Sequence, residues 1–124
     1  MLRLARLVSV IDGGRILNQK TARCQIIGAA VNAIGMTMLE ETVFDPGTGR
    51  IANATFGDYL IPVNADVPDI DVVFAGEPDR FSPIGAKGLG EVGIVGVPAA
   101  IANAVYHATG RRIRSLPITL DKLL

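Results

Sequence analysis

Between Gln25 and Leu39 the chain runs fifteen positions without a charged side chain, QIIGAAVNAIGMTML. Asn18 is a suitable N-cap, and the spacing predicts one helix from there to about Glu41 that is apolar all round in its second half. A helix of that kind has to be covered on every side. Ile26, Ile27, Val31, Ile34, Met38 and Leu39 supply bulk, while Gly28, Ala29, Ala30, Ala33 and Gly35 form a narrow ridge that another backbone can approach. Each interior glycine costs about 1 kcal/mol relative to alanine, so close packing is expected to offset both. With 124 residues there is room for one compact domain, and charged residues make up 19% against about 25% in typical domains. A small body with so few charges has surface left to pack on something else, and it reads as a piece of a larger one.

The flanking segments predict the rest. Leu2 to Ile11 reads as a strand with Leu2, Leu4, Val8 and Val10 on one face and Arg6 breaking the pattern; Asp12-Gly13-Gly14 then turns the chain. Thr42 to Phe44 and Arg50 to Ala52, joined by Asp45-Pro46-Gly47-Thr48-Gly49, look like a β-hairpin. Ile70, Val72 and Phe74 alternate as in a second core strand. A second helix begins between Val92 and Pro98, carries Ile101, Ala104, Val105 and Ala108 on one face, and ends before Gly110. The apolar tail from Arg112 to Leu124, with Pro117, is expected to pack as an extended strap. The fold class expected is α+β, with two main helices on a small, mainly antiparallel sheet.

Several function classes are disfavoured. Net charge is zero, aromatics are few, and Arg111, Arg112 and Arg114 are the only basic cluster, so neither phosphate tracking nor base stacking is expected and nucleic acid is a poor partner. Lone Cys24 and His107 do not make a tetrahedral metal site or an intrachain disulfide, which favours a reducing, cytoplasmic setting; Cys24 is expected to be an inert core thiol. Asp12 to Arg15 interrupts the opening apolar run, so no secretory leader is expected. Val92 to Gly110 lacks charge, but with Pro98, Asn103, His107 and several glycines it is read as buried helix and not as a membrane span.

The sharpest local signal is Gly85-Ala86-Lys87-Gly88-Leu89-Gly90-Glu91-Val92-Gly93, at the end of an unpatterned loop from Glu77 to Gly90. It embeds G-x-G-x-x-G, yet no strand precedes it and no acid follows until Asp121, so the dinucleotide-binding reading fails its context test. What remains is a carboxylate, Glu91, on glycine-rich backbone ahead of a helix, with Lys87 four residues earlier. A helix N-terminus and Lys87 favour the charged carboxylate, burial the protonated one, and Glu91 as a plain helix cap is the competing reading. Gln25 and Asn32 are amides on an apolar helix, able to bond a ligand or a neighbouring loop.

Taken in order, Asp12, Gly14 and Asn18, Gln25-Ile26-Ile27-Gly28, Gly35, Glu40-Glu41, Asp58-Tyr59-Leu60-Ile61-Pro62, Asp66, Pro68, Gly85 to Glu91 and Ala99 to Ala104 resemble the C-terminal end of the molybdenum-binding large subunit in the xanthine dehydrogenase and aldehyde oxidase family. The likeness covers almost the whole chain. It implies that residues 1–124 are the C-terminal portion of a larger molybdopterin-binding domain, from an enzyme that oxidises aldehydes or N-heterocycles such as purines with oxygen from water. It also implies a molybdenum-pterin cofactor (molybdopterin or its cytosine dinucleotide), and iron-sulfur and FAD subunits or domains as partners beside the rest of the large subunit.

By the same resemblance Glu91 is the general base, accepting the proton of a metal-carried hydroxyl from an enclosed position. Gln25 contacts the cofactor, Lys87 belongs with the cofactor-binding loop, and Gly88 and Gly90 let that loop approach the cofactor without Cβ obstruction. The sequence departs from the family at Ala29, where many relatives have glycine, and at Asn32-Ala33, where they have Gln-Gly. Alone, the fragment is expected neither to retain the cofactor nor to turn over substrate. The competing reading is a non-catalytic interaction module that joins a partner through its apolar surface.

Overall fold

The computed structural model describes residues 2–124. Element order is β1 (Arg6–Asp12), α1 (Gln19–Met38), β2 (Asp69–Ala75), α2 (Val92–Val95) and α3 (Val97–Thr109), followed by a 3-10 turn at Leu120–Leu123. Asn18 caps α1 as expected: its side-chain oxygen accepts from the Lys20 and Thr21 amides at 3.0 and 3.2 Å. The helix stops at Met38, where the amides of Leu39 and Glu40 both donate to the Gly35 carbonyl.

The sheet corrects the antiparallel expectation. β1 and β2 pair in parallel, from Arg6 opposite Asp69 to Asp12 opposite Ala75. The chain leaves β1 through α1 and a long connection, so it re-enters the sheet from the same end, as a crossover dictates. The hairpin behind the antiparallel reading is reduced to a single bridge between Phe44 and Ile51, both exposed. The two main helices expected are α1 and α3, with Gly96 dividing the four-residue α2 from the start of α3.

Strand β1 also turns over relative to its predicted face. Leu7 is buried, with Ser9 and Ile11 half-buried beside it, while Val8 and Val10 are 49% and 63% exposed. Arg6 is no flaw in the pattern: its Nε and Nη2 donate to Asp71 of β2 at 3.1 and 2.6 Å. β2 follows its prediction, with Ile70 buried and Val72 and Phe74 half-buried.

The core joins Leu7 and Ile70 from the sheet, Ala30, Ala33 and Ile34 from α1, Val97, Ile101 and Val105 from α3, and Ile118 from the tail. The tail acts as the expected strap, its Ile118 amide bonded to the Thr37 carbonyl at 2.6 Å. Only one stripe of α1 is buried, from Ala22 through Ile26 and Ala30 to Thr37; Gln25, Gly28, Asn32 and Met36 are exposed. Similarly, the apolar stretch Val92–Thr109 is not buried throughout: 22% of it is covered, through Gly93 and the stripe Val97, Ile101 and Val105.

The glycines divide by function. A Cβ on Gly93 would lie 3.2 Å from both the Ile26 backbone and the Ala29 Cβ, so α2 sits directly on the small-residue ridge of α1. One on Gly35 would meet Pro62 at 2.8 Å. Gly28, in contrast, has nothing within 4 Å of that position, so packing within these residues does not offset its helical cost.

Two substitutions are therefore expected to move stability in opposite directions. Gly93→Ala forces two packed backbones apart and lowers the unfolding free energy by about 1–3 kcal/mol. Gly28→Ala meets no atom and raises it by about 0.5–1 kcal/mol. Urea denaturation of the two variants beside the parent checks both signs.

Candidate functional site

The turn that ends β1 builds the site together with the loop before α2. Gly14 has φ +60°, and a side chain there would press on the Gly85 carbonyl and on Cγ of Lys87 at 3.2 Å. Because glycine is present, Gly14 and Ala86 form an antiparallel bridge. The Lys87 amide donates to the Gly13 carbonyl at 3.0 Å, and the Gly85 carbonyl accepts from both Arg15 and Asp79 at 2.8 Å. The unpatterned loop is thus pinned at residues 85–87.

Side chains add a second attachment. The Lys87 ammonium donates to one carboxylate oxygen of Asp12, and the other accepts the Gly14 amide at 3.0 Å. Lys87 first, then the Gly14 amide, holds the Asp12 carboxyl below the usual carboxylate range. Both side chains keep contact with solvent, at 36% and 50% exposure, so the pair is screened.

Between this loop and the start of α1 lies a cleft of about 270 Å³ whose lining includes Gln25, Lys87 and Gly90, with Arg15, Asn18 and Thr21. Three of the five residues singled out in the sequence therefore share one cavity. Gly88 does not line it, and a Cβ on Gly88 or Gly90 would meet nothing within 4 Å. Glu91 follows Gly90 directly and occupies the N-cap position of α2, but its side chain makes no capping hydrogen bond. The resemblance implies an enclosed carboxylate, whereas within these residues Glu91 is exposed.

Other candidates fall away from the cleft lining. Cys24 is exposed on α1, not a core thiol, because it lies off the buried stripe. Asn32 is exposed as well. His107 lies in the last turn of α3, and Arg112 is occupied by the Asn103 side chain at 2.7 Å and by the ring of Tyr106. No G-x-G-x-x-G context exists, since turns and bends precede Gly88 and the helix after it has four residues. Among the described residues no group of three or more His, Cys, Asp or Glu is placed to hold a metal ion. Sequence reasoning passed over Arg15 and Thr21. The signal was the run Asp12-Gly13-Gly14-Arg15 leading to the Asn18 cap, read as a turn and not as the floor of a cleft.

The polar side chains that line the cleft carry amide, hydroxyl and guanidinium groups, with the Lys87 ammonium turned to Asp12, and these suit an organic, hydrogen-bonding group and not a bare metal ion. Residues 1–68 match a family model described as a molybdopterin cofactor-binding domain. The chain is 50% identical over 124 residues to the aldehyde oxidoreductase molybdenum-binding subunit PaoC of Escherichia coli K12, covering 99% of this chain and 17% of that protein. It is 38% identical over 126 residues to the 6-hydroxypseudooxynicotine dehydrogenase complex subunit gamma of Paenarthrobacter nicotinovorans, covering 98% and 16%. Among solved structures, quinoline 2-oxidoreductase from Pseudomonas putida 86 superposes with a TM-score of 0.89 at 35% identity, over 98% of this chain and 16% of that one. The chain spans about a sixth of the length of these relatives.

The depressed Asp12 carboxyl fixes the acid behaviour of the loop attachment. A group lowered on folding contributes fully above its unfolded value of about 3.9, and that contribution is lost as pH falls through the lower folded value. In an NMR pH titration the Gly14 and Lys87 resonances should follow a midpoint below the ordinary carboxylate value. A midpoint at or above the ordinary carboxylate value would show that the pair does not form.

Proposed function

The chain belongs to the molybdopterin cofactor-binding domain family, and from that membership we propose that residues 1–124 are the C-terminal portion of the molybdenum-binding subunit of an oxidoreductase. Its substrates are aldehydes or nitrogen heterocycles such as purines, and the oxygen comes from water. One observation carries the reading: Gln25, Lys87 and Gly90 converge on one cleft, and the next residue, Glu91, keeps an uncapped carboxylate.

The cofactor, molybdopterin or its cytosine dinucleotide, supplies the two-electron acceptor and the activation of water when bound. The residues present fit such a group, because the pterin carries its own metal and asks the protein for hydrogen bonds and clearance. Gln25 provides an amide that both donates and accepts. Lys87 contributes its stem to the wall. Gly88 and Gly90 leave the backbone bare, so a bulky group comes close without meeting a Cβ. Glu91 acts as general base, taking up a proton at a carboxylate oxygen as the substrate carbon is attacked. Its exposure among these residues fits a group that the remainder of the subunit and the cofactor enclose.

The remaining five-sixths of a family subunit is then the first partner, and iron-sulfur and FAD subunits or domains carry the electrons away. The setting is cytoplasmic. A second reading, a non-catalytic module joining a partner, is favoured by the number of large apolar side chains left exposed, Phe56 at 93% and Phe81 at 84% among them.

In the assembled enzyme Glu91→Gln is expected to lower kcat about 10²–10⁴-fold with molybdenum content unchanged, measured by steady-state kinetics and elemental analysis. Turnover near the original rate would end the assignment of Glu91 as base and favour the module reading. The isolated chain, purified after expression with cofactor supply, is expected to carry molybdenum well below one equivalent. Stoichiometric metal would contradict the division of the site between this portion and the rest.

A further inference from the structure

We propose that Asp12 and Lys87 act together as a positioning pair, fixing the glycine loop that presents Glu91; the catalytic consequence rests on the reading of Glu91 as base, while the pair itself does not. Although the Lys87 side chain lines the cleft, its ammonium is committed to Asp12. Asp12 is in turn held from several directions. It is the last residue of β1, in register with Ala75 at the end of β2; its second oxygen accepts the Gly14 amide at 3.0 Å; and Gly76, at φ +100°, leaves no room for a side chain between itself and the carboxylate. The carboxylate is thus a fixed point on the sheet, and Lys87 reaches out from the loop to meet it.

Beyond Lys87 the loop has little else to hold it. Gly88 and Gly90 have no neighbours at their Cβ positions, and Leu89 between them packs near Gly13. The four peptide steps from Lys87 to Glu91 span at most about 14 Å when extended, and two glycines give that tether wide conformational freedom. The Asp12 contact adds to the backbone bonds at residues 85–87 in limiting where the carboxylate of Glu91 travels. The ridge contact of Gly93 on Ile26 and Ala29 fixes the other end. A lysine whose charge is spent on a strand end serves geometry, and the positive charge presented to a ligand in the cleft falls to Arg15.

The test uses the full 124-residue chain and amide hydrogen exchange followed by NMR. Asp12→Asn and Lys87→Gln should each speed exchange at Lys87 and Arg15, whose amides bond to the Gly13 and Gly85 carbonyls, by about twofold to fivefold, the range expected of a screened pair, without change along α1. The double variant should exceed neither single one, and Asp12→Glu should restore part of the protection. Unchanged exchange in Asp12→Asn, or effects that simply add in the double variant, would overturn the pair. In the assembled enzyme Asp12→Asn should lower kcat by a similar factor with KM and molybdenum content unchanged; unaltered kcat would overturn its role in positioning. An active Glu91→Gln enzyme would instead remove the base assignment and leave the exchange result standing, so the two failures are distinguishable.

Discussion

The contact of Gly93 with the backbone of Ile26 and the methyl of Ala29 is where the architecture closes. It brings α2 against α1 at a separation where a methyl on Gly93 would require the helices to give by a few tenths of an ångström, and so sets Glu91, the residue before α2, beside the helix that carries Gln25. Ile26 is fully buried on the inner stripe of α1 while Gln25, its neighbour, is exposed toward the cleft. One turn of helix therefore contributes a core residue and a site residue at adjacent positions, and movement of α2 away from α1 would disturb both. The loop that links this contact to the sheet is attached at its other end by the Gly14–Ala86 bridge, so it is held between two glycine-dependent approaches.

A two-stranded parallel sheet with Val8, Val10 and Val73 exposed is unusual for a finished fold, since parallel sheets are covered on both faces. The described residues supply a helical layer for one face and leave valines on the other. A groove of about 600 Å³ lined by Leu2, Leu4, Met38, Leu60 and Ile118 is open in the same manner. These surfaces agree with a chain that spans about a sixth of its relatives.

Local chemistry made part of this legible beforehand. The Asn18 cap, the break at Gly110, the tail strap and the inward face of β2 follow from capping, φ preference and alternation, all of which act over a few residues. The direction of β2 was not legible, because parallel and antiparallel pairing depend on how residues 39–68 return the chain, and that segment has little periodicity of its own. β1 misled for a related reason: Leu2 and Leu4 share a parity with Val8 and Val10, but they precede the strand, and the register is set by Leu7 opposite Ile70. At the site, Gln25, Lys87 and Glu91 stood out by residue type, whereas Arg15 and Thr21 did not, because only the folded turn brings them to the same cleft.

The glycines separate what the fold needs from what it does not. Gly14, Gly76 and Gly85 have positive φ, and Gly35 and Gly93 sit where a side chain would strike a neighbour. Each is explained within these residues. Gly28, Gly88 and Gly90 have neither property: their backbone is ordinary and the space beside them is open. Gly28 lies three positions after Gln25, hence on the same side of α1, and Leu89 and Gly90 line the cleft that Gln25 also lines. Glycine at an exposed helical position is a standing cost of about 1 kcal/mol relative to alanine. At Gly28 nothing within the described residues requires that cost, so packing among them does not account for a glycine one turn from Gln25.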